Sequence, residues 1–238
     1  MTGGARVTDQ AVRPAAPLLP GGARRTAVIA LIACAAVLTA GAILDAGRSR
    51  AGPLDRGIDQ WVITRLHNHL HGAFQITNLG NPTPMITLTI IIVLACLTVR
   101  RVNGAVLTVA AVLVANFLTE VVLKPIVHET IGHPGVLSYP SGHTTSVFTL
   151  VAVVAVLLVA PPRPRMPAWL RLIVVLLAVA VGVTVAICLI AIQFHYFTDT
   201  VGGVCVATGT VLGIALLLDG NRPRAFLGRW KFRSDGQA

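Results

Sequence analysis

The chain has 238 residues, of which 55% are hydrophobic and 12% charged, and its formal net charge is +10. That composition excludes an ordinary soluble domain, and the basic residues stand between apolar runs instead of forming one soluble face, which points to membrane topology and away from nucleic acid as a partner. Four cysteines, Cys34, Cys96, Cys188 and Cys205, lie inside apolar runs without CxxC spacing, so they read as buried small hydrophobes and support neither a disulfide framework nor a zinc site.

Residues 1–25 are rich in Gly, Pro, Ala and Arg without periodicity and are predicted to be a disordered cytoplasmic tail. The first apolar segment runs from Thr26 to about Leu44, long enough to cross a bilayer and longer than the apolar core of a signal peptide, so it is expected to stay uncleaved. Between Gly47 and Asn81 the composition turns polar, yet Leu54, Ile58, Trp61, Val62, Leu66, Leu70 and Phe74 recur at three- and four-residue steps. That stripe predicts an amphipathic helix lying along the membrane surface, with Asp55, Asp59, Arg65, His67, Asn68 and His71 largely off the apolar face.

Further apolar runs cover about Met85 to Thr98, Ala105 to Leu123, Val147 to Ala160, Leu172 to Phe194 and Val201 to Leu218. With the first segment they make six spans, the shorter ones borrowing flanking residues. The expected fold class is an all-α membrane protein: six transmembrane helices with an amphipathic interfacial helix between the first and second spans. Residues 26–219 form one membrane domain, and 220–238 a basic cytoplasmic tail.

The charges give an orientation. With the N-terminus inside, fourteen Lys and Arg residues fall on the inner side and five (Arg48, Arg50, Arg56, Arg65 and Lys124) on the outer side, so both termini are expected in the cytoplasm. The same topology puts all seven histidines outside, where proton chemistry is therefore expected.

A polar knot, Ser138-Tyr139-Pro140-Ser141-Gly142-His143-Thr144-Thr145-Ser146, separates two apolar runs. Ser141 is a favoured N-cap, and the free amides at the start of the following helix suit an anion such as phosphate. Gly142 permits close backbone approach, and His143 stands beside it as a proton donor or acceptor; an ordinary helix cap with an interfacial histidine fits this tetrapeptide equally well. Lys124 ends the third span one turn after Glu120, which reads either as a surface ion pair or as an ammonium placed to hold a phosphoryl oxygen. His195 and Asp199, four residues apart, share a face if helical, so the carboxylate can fix the imidazole tautomer and leave the other nitrogen free to attack.

Lys124, Pro140-Ser141-Gly142-His143 and His195 with Asp199 together resemble the type 2 phosphatidic acid phosphatase superfamily, the lipid phosphate phosphatases that share a helical core with vanadium haloperoxidases. The resemblance implies Lys124, Ser141 and Gly142 as phosphate-binding residues, His143 as general acid, and His195 as nucleophile oriented by Asp199. It implies a phosphohistidine intermediate, a lipid phosphate substrate in the bilayer, and no metal or other cofactor. Two arginines customary in the family are replaced: Ile131 and Gly132 stand where Arg-Pro is usual, and Cys188-Leu189 stand where Ser-Arg is usual. His133 and His128 are candidate surrogates for the missing charge.

The residues so read imply a phosphatase acting on a lipid phosphate or diphosphate at the outer leaflet of the plasma membrane. Two other readings stay open. One is a catalytically impaired relative that binds or moves phospholipid, and the other is a vanadate-dependent peroxidase. His67, His69 and His71 read better as a polar helix face than as a metal site. Gly209 and Gly213 allow close packing in the sixth span, within one molecule before between two.

Overall fold

The computed structural model describes residues 17–132, 135–159 and 166–220, and the described residues are almost entirely helical. In chain order the helices are α1 (Gly21–Asp45), α2 (Pro53–Leu66), α3 (Leu70–Thr77), α4 (Pro82–Thr98), α5 (Val102–Phe117), α6 (Lys124–Val127), α7 (Gly142–Val159), α8 (Ala168–Ala191) and α9 (Phe197–Gly220). A π-helical turn, Leu118–Leu123, joins α5 to α6, so one helix runs from Val102 to Val127. Among the described residues five helices are long and apolar enough to cross a membrane. A sixth span arises if α4 is taken with the segment Pro53–Gly80, from which it is bent by 48°.

Helices α7 and α9 form the centre. Helix α9 packs on α7, α1 and α5, while α8 covers α7 and is itself crossed by α2 and α3. The helices at the rim expose large aliphatic side chains such as Ile32, Ile43, Leu113, Leu172 and Leu177 all along their outer faces, as a lipid-facing surface requires. Close approach of α7 and α9 depends on glycine. A Cβ on Gly203 would stand 2.8 Å from the Ser141 carbonyl oxygen and 3.0 Å from Thr144 Cβ, and one on Gly202 would meet the Tyr139 ring. Gly209 faces Leu31 and Cys34 of α1, so that glycine serves packing within the monomer, whereas Gly213 has nothing within 4 Å.

Three expectations are corrected. Residues 17–25 are ordered: the amides of Leu18 and Leu19 donate to the Asp219 carboxylate at 3.0 and 2.8 Å, both side chains are buried, and α1 begins at Gly21. Residues 1–16 and 221–238, the rest of the two expected tails, lie outside the described residues. The single amphipathic helix is instead two, broken by a 3₁₀ turn at His67–His69, and Asp55 and Asp59 are not on a solvated face. Both are buried because they cap another helix: Asp55 Oδ1 accepts from the Thr198 amide at 2.9 Å and Asp59 Oδ1 from the Phe197 amide at 3.1 Å, satisfying orphan donors at the start of α9.

Candidate active site

Helices α7 and α9 start at the same end of the molecule. The Ser141 amide donates to the Asp199 carbonyl at 3.0 Å, tying the two first turns together, so two positive helix ends converge there. At the opposite end Arg101 and Arg171 donate to the Leu157 and Leu158 carbonyls, which closes the negative end of α7 with positive charge.

Ser141 is fully buried and its Oγ accepts from the Thr144 amide at 3.3 Å, an N-cap of α7. Lys124, on the first turn after the π-helical segment, reaches the same helix start. Its Nζ donates to Glu120 Oε1 and Oε2 at 2.9 and 2.8 Å, and the pair lies against Gly142, where any Cβ would collide with the Glu120 carboxylate. The π turn adds a residue to the helical repeat beside the site, as such turns often do.

His143 projects toward the turn before α4. Its Nε2 lies 3.0 Å from Asn81 Oδ1, and the Asn81 amide nitrogen is committed to Asn78 Oδ1 at 3.0 Å, so the oxygen faces the ring and His143 Nε2 is the donor. Gly80 makes room for the ring, since a Cβ there would stand 2.8 Å from His143 Cδ2. His143 is within electrostatic reach of His195, Lys124 and Glu120.

His195 does not sit on a helical turn, as the spacing suggested, but on the non-helical link between α8 and α9. The pairing with Asp199 still forms: His195 Nδ1 donates to Asp199 Oδ2 at 3.2 Å, which leaves Nε2 with a free lone pair. Asp199 Oδ2 also accepts from the Tyr196 amide at 2.9 Å and from Ser138 Oγ at 2.8 Å. Asp199 is 0% exposed. Beside His195 opens a cavity of about 440 Å³, walled by Arg56, Asp59 and Gln60 of α2, Ile131 and Gly132 of the loop, and Gln193 and Tyr196 of the α8–α9 link.

The structure thus brings Lys124, Ser141, Gly142, His143, His195 and Asp199 to one end of the bundle. His128 is exposed at the left-handed residue that ends α6, His133 lies outside the described residues, and Arg65 stacks over Trp61, 5.7 Å from its ring centre, on an exposed face. Leu189 is fully buried in an apolar cluster with Met85, Val147, Leu150 and Val185. Among the described residues no three His, Cys, Asp or Glu side chains are grouped to hold a metal ion.

Sequence reasoning missed four residues at this end. Arg56 brings a guanidinium to the cavity wall, Asn81 holds His143, Ser138 holds Asp199, and Glu129 is buried behind them. Burial pushes the Glu129 carboxyl up to about 10, reinforced by the neighbouring charges of Asp199 and Asp45 and only partly opposed by Ser138. Asn81 had a local signal, an Asn before Pro at a helix start. The others depend on contacts far apart in sequence.

Two helix starts, an ammonium and a carboxylate-paired histidine thus meet at one end of an apolar helical bundle, the architecture of a helical membrane protein. The chain belongs to the PAP2 superfamily, whose family model matches residues 105–223. No curated protein sequence matches it. A solved structure with the same fold is the transmembrane PAP2-type phosphatidylglycerolphosphate phosphatase from Bacillus subtilis, at a TM-score of 0.63 and 16% identity over 82% of this chain and 98% of that one. The integral membrane fold and the membrane-phosphatase class follow from these findings.

Proposed function

We propose that this PAP2 protein hydrolyses a lipid phosphate or diphosphate at the outer leaflet through a phosphohistidine on His195. The single observation that carries the reading is the His195–Asp199 pair beside the cavity: a carboxylate on Nδ1 makes Nε2 the nucleophile. Nε2 attacks phosphorus in line, forming the P–N bond as the bond to the bridging oxygen breaks, and His143, whose Nε2–H stays on Asn81, gives a proton carried on Nδ1 to the departing alkoxide or, from a diphosphate, the departing lipid phosphate. His143 then takes a proton from water, which attacks phosphorus, breaks the P–N bond and releases phosphate. Lys124 and the amides at the start of α7 hold the equatorial oxygens, and Arg56 supplies guanidinium charge in place of the two family arginines. Asn81 keeps the His143 ring in place.

A second reading, lipid binding without turnover, is favoured by one observation: Lys124 is engaged at both Glu120 oxygens, so phosphate must displace a carboxylate that is already there. The two readings separate in phosphate release by the purified protein on phosphatidic acid, phosphatidylglycerol phosphate and polyprenyl diphosphate. Release by wild type that His195→Ala abolishes is the expected result. Equal release by both proteins would overturn the mechanism, and lipid binding with no release would leave the second reading.

A further inference from the structure

Behind the His195–Asp199 pair lies a third buried group with an unbalanced account of protons. Ser138 Oγ carries one hydrogen, yet it lies 2.8 Å from Asp199 Oδ2 and 3.3 Å from Glu129 Oε2. All three side chains are shut away from solvent, at 0% exposure for Ser138 and Asp199 and 1% for Glu129. The remaining carboxyl oxygens, Glu129 Oε1 and Asp199 Oδ1, are buried and have no donor, and both carboxyl groups converge on the one Ser138 hydroxyl. Two ionised carboxylates cannot share so small a dry space, and one added proton resolves both shortages.

We propose that Glu129 is a neutral carboxylic acid that hydrogen-bonds the Asp199 carboxylate and, through it, positions His195: a third link in a chain Glu129–Asp199–His195. The proton stays on Glu129 throughout turnover. Its task is to satisfy the side of Asp199 turned away from His195, so that Asp199 remains charged, fixed and able to hold Nδ1–H as positive charge grows on the ring. Glu129 touches neither substrate nor the reacting nitrogen and is a positioning residue. Its consequence for turnover rests on the phosphatase reading, whereas the shared proton does not.

The surroundings agree. The groups facing Glu129 are Asp199 of α9, Asp45 at the end of α1, Ser138 and Tyr139 of the loop before α7, and Tyr196 of the α8–α9 link. Arg48, the cation beside Asp45, is paired with it at 3.2 Å. A carboxyl among two other acids, two phenols and a hydroxyl is thus held neutral well above its ordinary value of 4.5. The sign for stability follows. Between pH 4.5 and about 10 the folded chain keeps a proton that the unfolded chain has released, so stability falls as pH rises through that window.

The test uses the full chain in detergent or proteoliposomes. Infrared difference spectra of wild type against Glu129→Gln at pH 7 should show the carbonyl stretch of one neutral carboxylic acid, sensitive to deuterium exchange and lost in the variant. Glu129→Gln, which still donates a hydrogen bond to Asp199, should keep kcat within a few-fold of wild type and flatten the fall of melting temperature with pH. Glu129→Ala should lose tenfold or more in kcat with KM little changed, the scale typical of groups that hold a functional side chain in place from behind. Absence of the neutral-acid band would overturn the shared proton, and wild-type turnover in Glu129→Ala would overturn the positioning role. A band present in a protein that releases no phosphate from any substrate would support the shared proton and count against the phosphatase reading alone.

Discussion

At the scale of single residues, the site holds an anion of its own. Glu120 places its carboxylate against Gly142 at the start of α7 and keeps both oxygens on Lys124, which is the arrangement a phosphoryl group needs for itself. Lys124 is mostly covered while Glu120 is about half exposed, so the carboxylate is the partner free to swing away. Glu120→Gln should therefore lower KM for lipid phosphate several-fold with kcat nearly unchanged, and should make KM rise more steeply with added salt, because salt no longer also loosens a competing carboxylate. Initial-rate kinetics of phosphate release at two ionic strengths checks this, and an unchanged KM would show that Glu120 does not compete with substrate. Lys124, Ser141, His143, His195 and Asp199 could be singled out as candidates because each sits in a short local pattern, and the structure gathers them at one end of the bundle. Glu129 was not. Nothing in its neighbours His128 and Thr130 foretells that Ser138, Asp199 and Asp45 will close around it, and burial of an acid by distant elements leaves no periodic trace.

At the scale of elements, the apolar runs were legible from hydropathy because five of them form helices long enough to cross a bilayer and the sixth, α4, does so with the segment before it, while their irregularities were not. The break at His67–His69 and the π turn at Leu118–Leu123 sit inside stretches whose composition suits uninterrupted helix, and tertiary packing decides them. Asp55 and Asp59 read as a polar face until α9 arrives to be capped. The meeting of α7 and α9 is the element-level feature on which the chemistry depends. Since a Cβ on Gly203 would stand 2.8 Å from Ser141 O and 3.1 Å from the Thr145 amide, both backbone atoms, little can yield. Gly203→Ala should lower the melting temperature, at the ~1–3 kcal/mol typical of overpacking, and reduce turnover together, because it pushes the Ser141 turn away from the helix that carries Asp199. Gly213→Ala, in open space four turns from Asp199, should change neither. Equal effects of the two alanines on melting and release would show that the crossing does not set the site.

At the scale of the whole molecule, the two ends differ in chemistry. One carries both helix starts, Lys124, His143 and His195; the other carries Arg101 and Arg171 on the closing carbonyls of α7, with Arg24 3.9 Å from Asp219. A bundle polarised in this way should take a preferred orientation in a membrane that retains basic residues on its cytoplasmic side, and the proposed outer-leaflet site follows from that expectation. Gln60, exposed on α2 at the cavity wall, and Arg100, exposed at the turn after α4, report the two ends. The native cysteines are poor competitors for a label, since Cys96, Cys188 and Cys205 are buried and Cys34 is half-buried. A membrane-impermeant maleimide should therefore label Gln60→Cys in intact cells and Arg100→Cys only after lysis. The reverse pattern would move the same histidine site to the cytoplasmic leaflet, and with it the pool of lipid phosphate it meets, while leaving the proposed chemistry of His195 as it stands.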